Sequence, residues 1–151
     1  MRISKGFGLL ELMVVLVVAG LLASLAIPAY TQFVDRARTA RAIGDIGGIG
    51  LEIEKFRLVN DSLPPLDLAE LPGEIPLDPW GRSYVYLNIA AADPGKGAFR
   101  KDGNLNPLNT DFDLYSAGKD GDSKGPLNAK ASRDDVVRAN NGAFIGRAED
   151  Y

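Results

Sequence analysis

Residues 7–29 form one apolar run of 23 positions whose only charge is the carboxylate of Glu11. As a helix this run is about 35 Å long, enough to cross a bilayer core of about 30 Å. Pro28 removes one backbone bond and is expected to kink or locally open the helix. Beyond it, polarity returns with a helical period. Phe33, Ala37, Ala40, Ile43, Ile46, Ile49, Ile53 and Phe56 recur at steps of three and four. Residues 30–60 therefore read as an amphipathic helix with one apolar stripe. Asp35–Arg38, Arg41–Asp45, Glu52–Lys55 and Glu54–Arg57 are spaced either for side-chain pairs or for a plainly solvated face. Gly44, Gly47, Gly48 and Gly50 lie within the stripe, and each costs a helix about 1 kcal/mol relative to alanine. They imply close approach of a sheet or neighbouring helix to bare backbone, or a helix frayed near Gly47-Gly48.

After residue 60 the period changes. Residues 61–79 are a proline-rich connection with room for one helical turn over 66–71. Asp78-Pro79-Trp80-Gly81 marks a turn, and residues 84–89 alternate as a strand. Trp80, the only tryptophan, suits a core anchor better than a ligand-stacking role. Residues 98–101 read as a short second strand. Residues 111–116 read as a clearer one, with Phe112, Leu114 and Ser116 on one face and Asp113 and Tyr115 on the other. Residues 136–146 look like a packed tail, with a turn at Asn141-Gly142 and Phe144 and Ile145 buried against the sheet.

An ionisable group in a membrane-length run is expensive, and Glu11 is a functional candidate for that reason. An ordinary secretory signal has an apolar core of roughly 7–15 residues, and Ala26-Ile27-Pro28-Ala29 is a poor cleavage site. A plain signal anchor leaves Glu11 unexplained, and without cysteine there is no site for a lipoprotein anchor. The string Lys5-Gly6-Phe7-Gly8-Leu9-Leu10-Glu11-Leu12-Met13-Val14-Val15, behind a short basic leader, resembles the processing site of type IV pilins and type II secretion pseudopilins. Gly8 departs from it, since the family often carries threonine there. The resemblance implies prepilin peptidase cleavage after Gly6, an N-methylated Phe7 at the mature N-terminus, and Glu11 as the fifth mature residue. Glu11 would then pair with the new amine of a neighbouring subunit inside a dry helix bundle, setting axial register more than adding stability.

The same resemblance implies an α+β, type IV pilin-like fold: a long N-terminal helix packed on a small antiparallel sheet, with a C-terminal loop region. Residues 1–6 would be the cleaved leader and 7–29 the transmembrane and filament-core helix. Residues 30–151 would be the periplasmic globular domain, with 30–60 as its amphipathic helix half. The resemblance further implies a single-pass protein of the bacterial inner membrane with its leader in the cytoplasm, consistent with Arg2 and Lys5 staying inside.

Charge narrows the function further. The chain has 17 basic and 20 acidic residues, and removing Arg2 and Lys5 leaves 15 against 20, a net charge of −5 before counting termini. An acidic chain without a basic cluster argues against direct nucleic-acid binding. With neither histidine nor cysteine there is no Ser-His or Cys-His dyad, so an enzyme is not expected. The resemblance points to the major pseudopilin of a type II secretion system, polymerising into a short periplasmic filament. The alternative is a type IV pilus subunit used for adhesion, motility or DNA uptake. Implied partners are further copies of the chain, the prepilin peptidase, the inner-membrane assembly platform and minor pseudopilins.

The absent disulfide calls for another staple. Asp120, Asp122, Asp134 and Asp135 lie in glycine-rich, polar sequence that suits either a hard cation or a solvated acidic loop. The segment lacks the twelfth-position glutamate of an EF-hand, and Lys119, Lys124 and Lys130 dilute its negative field. The strand ending Tyr115-Ser116-Ala117-Gly118, then Asp120-Gly121 and Asp134-Asp135, resembles the calcium loop of major pseudopilins. That likeness implies Asp120 and Asp134 as side-chain ligands and Ala117 and Asp122 as backbone or mixed ligands. Asp135 competes with Asp134 for the same role.

Overall fold

A computed structural model describes residues 8–65, 67–89, 99–103 and 105–151. The chain divides into two units, Met1–Ala37 and Arg38–Tyr151. One helix, α1 (Leu9–Asn60), contributes to both, and it ends where the apolar period ends. It runs unbroken through Pro28 and through all four glycines, so neither the local opening at Pro28 nor the frayed helix near Gly47-Gly48 is formed. A methyl group at Gly47 would meet Ile145 at an ordinary 3.9 Å, and methyl groups at Gly44, Gly48 and Gly50 would meet nothing within 4 Å. Among the described residues, no close approach explains these glycines.

In the second unit the buried face of α1 is Ala42, Ile46, Ile49 and Ile53, with Ile43 and Phe56 half-buried beside it. Phe33, Ala37 and Ala40, expected on the same stripe, are exposed. The ion pairs Arg41–Asp45, Lys55–Glu52 and Arg57–Glu54 form on the solvent side, at 3.5, 2.6 and 2.7 Å. Being exposed, they add little stability.

The sheet is an antiparallel meander, β1 (Val85–Asn88), β2 (Phe112–Ser116), β3 (Val136–Ala139) and β4 (Phe144–Arg147), in that spatial order. Phe112, Leu114 and Val136 pack with the α1 isoleucines, and Tyr84, Leu68 and Leu71 complete that core. Trp80 packs half-buried against it, as an anchor. The opposite face of the sheet is also covered, by Leu108, Leu127 and Ala148 over Val137 and Ala139.

Burial on both faces explains one correction. Val136-Val137-Arg138-Ala139 is buried at every position, so it lacks the alternation that marks a half-exposed strand. The region expected to be a packed tail is instead β3 and β4, joined through Asn140 and Asn141 at positive φ and Gly142. A second correction concerns residues 98–101. Ala98 lies outside the described residues, and Phe99–Lys101 is not a strand of the sheet. The Arg100 amide donates to the Asp113 carboxylate at 2.8 Å, and Lys101 makes only an isolated bridge to Pro126.

The proline-rich connection shortens its expected turn to Leu68–Glu70, capped by the Asp67 carboxylate on the Ala69 amide; Leu66 lies outside the described residues. Tyr86 and Asn88 tie it to β1 by donating to the Pro64 carbonyl at 2.8 and 2.9 Å.

Candidate assembly stem and carboxylate loop

In the first unit, every residue from Leu9 to Tyr30 is exposed, with Leu9, Leu16 and Leu25 about three-quarters so. Among the described residues, α1 is the one helix long and apolar enough to cross a membrane. Glu11 sits in its first turn, its amide bonded to the Gly8 carbonyl at 3.1 Å. A carboxylate there is favoured by the positive end of the helix dipole. Gly6 and Phe7 lie outside the described residues. Near Pro28 the hydroxyls of Ser24 and Thr31 fold back onto the carbonyls of Leu21 and Pro28, at 2.7 and 2.9 Å. An apolar surface this extensive persists only against lipid or against other helices.

The second site lies at the end of β2. Asp78, buried in the turn before β1, accepts from the Trp80 and Arg82 amides with one oxygen, at 3.0 and 2.8 Å. Its other oxygen accepts from the Ser116 hydroxyl at 2.6 Å, which in turn accepts from the Gly118 amide. The Arg82 guanidinium donates to the carbonyls of Gly118 and Lys119. The Asp-Pro-Trp-Gly turn and the carboxylate loop thus form one hydrogen-bonded unit.

Within the loop, Asp134 Oδ2 accepts from the amides of Lys119 and Asp120, at 2.7 and 3.0 Å. Asp120 Oδ1 accepts from the Asp122 amide, and the Ala117 carbonyl accepts from the Gly121 amide. Gly118 adopts φ +65°, and a Cβ there would lie 2.4 Å from the Asp134 carbonyl oxygen. Bare backbone is what lets Asp134 reach the loop.

The Asp134 carboxylate is thus brought onto the backbone of the loop that carries Asp120, Asp122 and the Ala117 carbonyl. Among the described residues, no three Asp, Glu, His or Cys side chains gather as a metal cluster. The oxygen-rich chemistry of Asp120, Asp134 and the loop carbonyls is of the kind calcium takes, since it accepts carbonyl and water oxygens readily. Asp135, the competitor of Asp134 for the ligand role, has one carboxylate oxygen turned to a different set of partners. It is wholly buried, pairs with Arg100 at 2.7 Å, and accepts from the Ser123 hydroxyl at 2.6 Å. Burial pushes its carboxyl up to about 6, against the opposing pull of Ser123 and Arg100.

Sequence reasoning missed Asp78, Arg82 and Arg100 as parts of the site. Asp78 and Arg82 could have been found, since they bracket the turn string already singled out. Arg100 carries no such signal.

Residues 1–27 match the family model of the prokaryotic N-terminal methylation motif. Type II secretion system core protein G of Pseudomonas aeruginosa is 31% identical over 147 residues, covering 84% of this chain and 92% of the relative. The Escherichia coli K12 protein of the same name is 32% identical over 139 residues, covering 78% and 83%. Fimbrial protein Q of Moraxella bovis is 41% identical over 101 residues, covering 66% of this chain and 64% of the relative. No solved structure gives a significant match.

Proposed function

The chain belongs to the family of the type II secretion system core protein G, the major pseudopilins, and on that premise we propose that it polymerises through its stem into a periplasmic filament that serves protein secretion. The observation that carries this reading is the bare apolar stem with one carboxylate, on a chain whose second unit already has its own core. Such a stem needs a partner, and further copies of itself satisfy it. The role is structural, as it is for the relatives.

The prepilin peptidase cuts after Gly6 and methylates Phe7. The subunit leaves the inner membrane as its stem exchanges lipid for neighbouring stems, with Glu11 of one copy paired to the Phe7 amine of the next. The assembly platform and minor pseudopilins are the partners this reading requires. Asp120 and Asp134, with the carbonyls of Ala117 and Asp122, would hold calcium. Bound only by the folded loop, the ion would supply by mass action the stapling that a disulfide gives elsewhere.

The fimbrial relative supports a second reading, a subunit of a type IV pilus. Producing the chain in a host deleted for its own core protein G separates the two. Restored release of a folded exoprotein, with an N-methylated Phe7 in the mass spectrum, is the expected result. Surface filaments without restored release would favour the pilus, and an intact Met1 would overturn the processing step.

A further inference from the structure

Arg100 is buried at 2% exposure, and its neighbours come from three separate stretches of chain. Its guanidinium lies over the Tyr115 ring of β2, 3.6 Å from the centroid. It pairs with Asp135 Oδ2 at 2.7 Å and also donates to the Ser123 hydroxyl and the Lys124 carbonyl. The backbone of the same residue is pinned by Asp113, which also accepts from Asn109 at 2.8 Å. Ser132 adds a second tie, its hydroxyl bonded to both the amide and the carbonyl of Lys124 at 2.8 Å. Residues 123–124 and 132–135 are thereby drawn together, closing the neck of the excursion between them.

We propose that Arg100 and Asp135 form a metal-independent staple for this excursion, and that Asp135 does not ligate the cation assigned to Asp120 and Asp134. Asp135 Oδ2 already serves a guanidinium and a hydroxyl. A divalent ion on the same oxygen would set two positive charges against one another in a buried site. Asp135 Oδ1 and Arg100 Nε accept and donate no hydrogen bond among the described residues. A melt therefore has to separate a carboxylate committed to Arg100 from one reaching the cation through Oδ1. The exclusion of Asp135 as a ligand rests on the calcium reading above; the staple does not.

The test is thermal unfolding of the full chain in detergent, in chelator, in magnesium and in calcium. Asp135→Asn keeps the shape and removes the charge. It should lower the melting temperature in chelator by about 10 °C, as loss of one partner of a buried pair does, and leave the calcium-induced rise equal to the parent's. Asp135→Asn that melts like the parent in chelator overturns the staple. Loss of the calcium-induced rise in Asp135→Asn overturns its exclusion as a ligand. If Asp135→Asn does not fold, Ser123→Ala gives the same readout with a smaller fall of about 2–4 °C. Adding Arg100→Met to Asp135→Asn should recover part of the loss, because no unpaired charge stays buried. A parent without any calcium-induced rise overturns the cation reading alone, and the chelator melts still decide the staple.

Discussion

Glu11 is a carboxylate in the first turn of an exposed apolar stem, and its proposed role lies between subunits. Glu11→Ala should abolish filament assembly and leave the membrane-bound pool unchanged, since an unpaired buried amine costs about 3–5 kcal/mol. Sheared filaments counted against membrane-fraction protein check this, and normal filament yield would refute it. Gly118 is decided within the molecule. An alanine there must hold positive φ and collide with the Asp134 carbonyl, so Gly118→Ala should cost at least about 2 kcal/mol, read as a lower melting temperature. Asp111 carries a pH signature. Burial alone would raise its carboxyl, but the Arg138 hydrogen bonds and charge and the Phe112 amide hold it below the usual range. A depressed carboxylate stabilises above its unfolded value and loses that contribution as pH falls through the folded one. The penalty of Asp111→Asn should therefore be full at pH 7 and fade below about pH 4, as urea midpoints would show.

Among the elements, α1 is the one most readily read from the chain. Its apolar period placed the end of the helix and the isoleucines at 46, 49 and 53, because a helix against a core repeats every three to four residues. The period did not say how far along the stripe the core reaches, and Phe33, Ala37 and Ala40 lie beyond it. Gly44 and Gly48 face open space on an unbroken helix. Gly44→Ala should therefore stabilise the unassembled chain by about 0.5–1 kcal/mol, checked by its urea midpoint. β1 and β2 were legible as strands. β3 was not, since covering both sides of a strand erases the alternation on which a sequence reading depends.

For the molecule as a whole, the two units answer to different surroundings. The stem has no core and depends on lipid or on copies of itself, whereas residues 38–151 close their own core around a four-stranded sheet. The carboxylate loop belongs to the second. Asp120→Ala should remove the calcium-specific rise in melting temperature and lower filament yield together. Magnesium should not replace calcium, because it is smaller and gives up water reluctantly. A variant that keeps the parent's rise would refute the assignment of Asp120.

What the sequence alone determined was whatever is written locally and periodically: the stem, the position of Glu11, the long helix, two strands, and a carboxylate-rich loop. These follow from hydrophobic spacing and short motifs, which depend on neighbours a few residues away. Only the tertiary structure decided which carboxylates meet. Asp134 and Asp135 are adjacent in the chain, yet one caps the loop amides and the other pairs with Arg100, 35 residues earlier. Adjacent side chains at the start of a strand point to opposite sides. Which side holds a guanidinium depends on how distant segments close, and no local pattern carries that information.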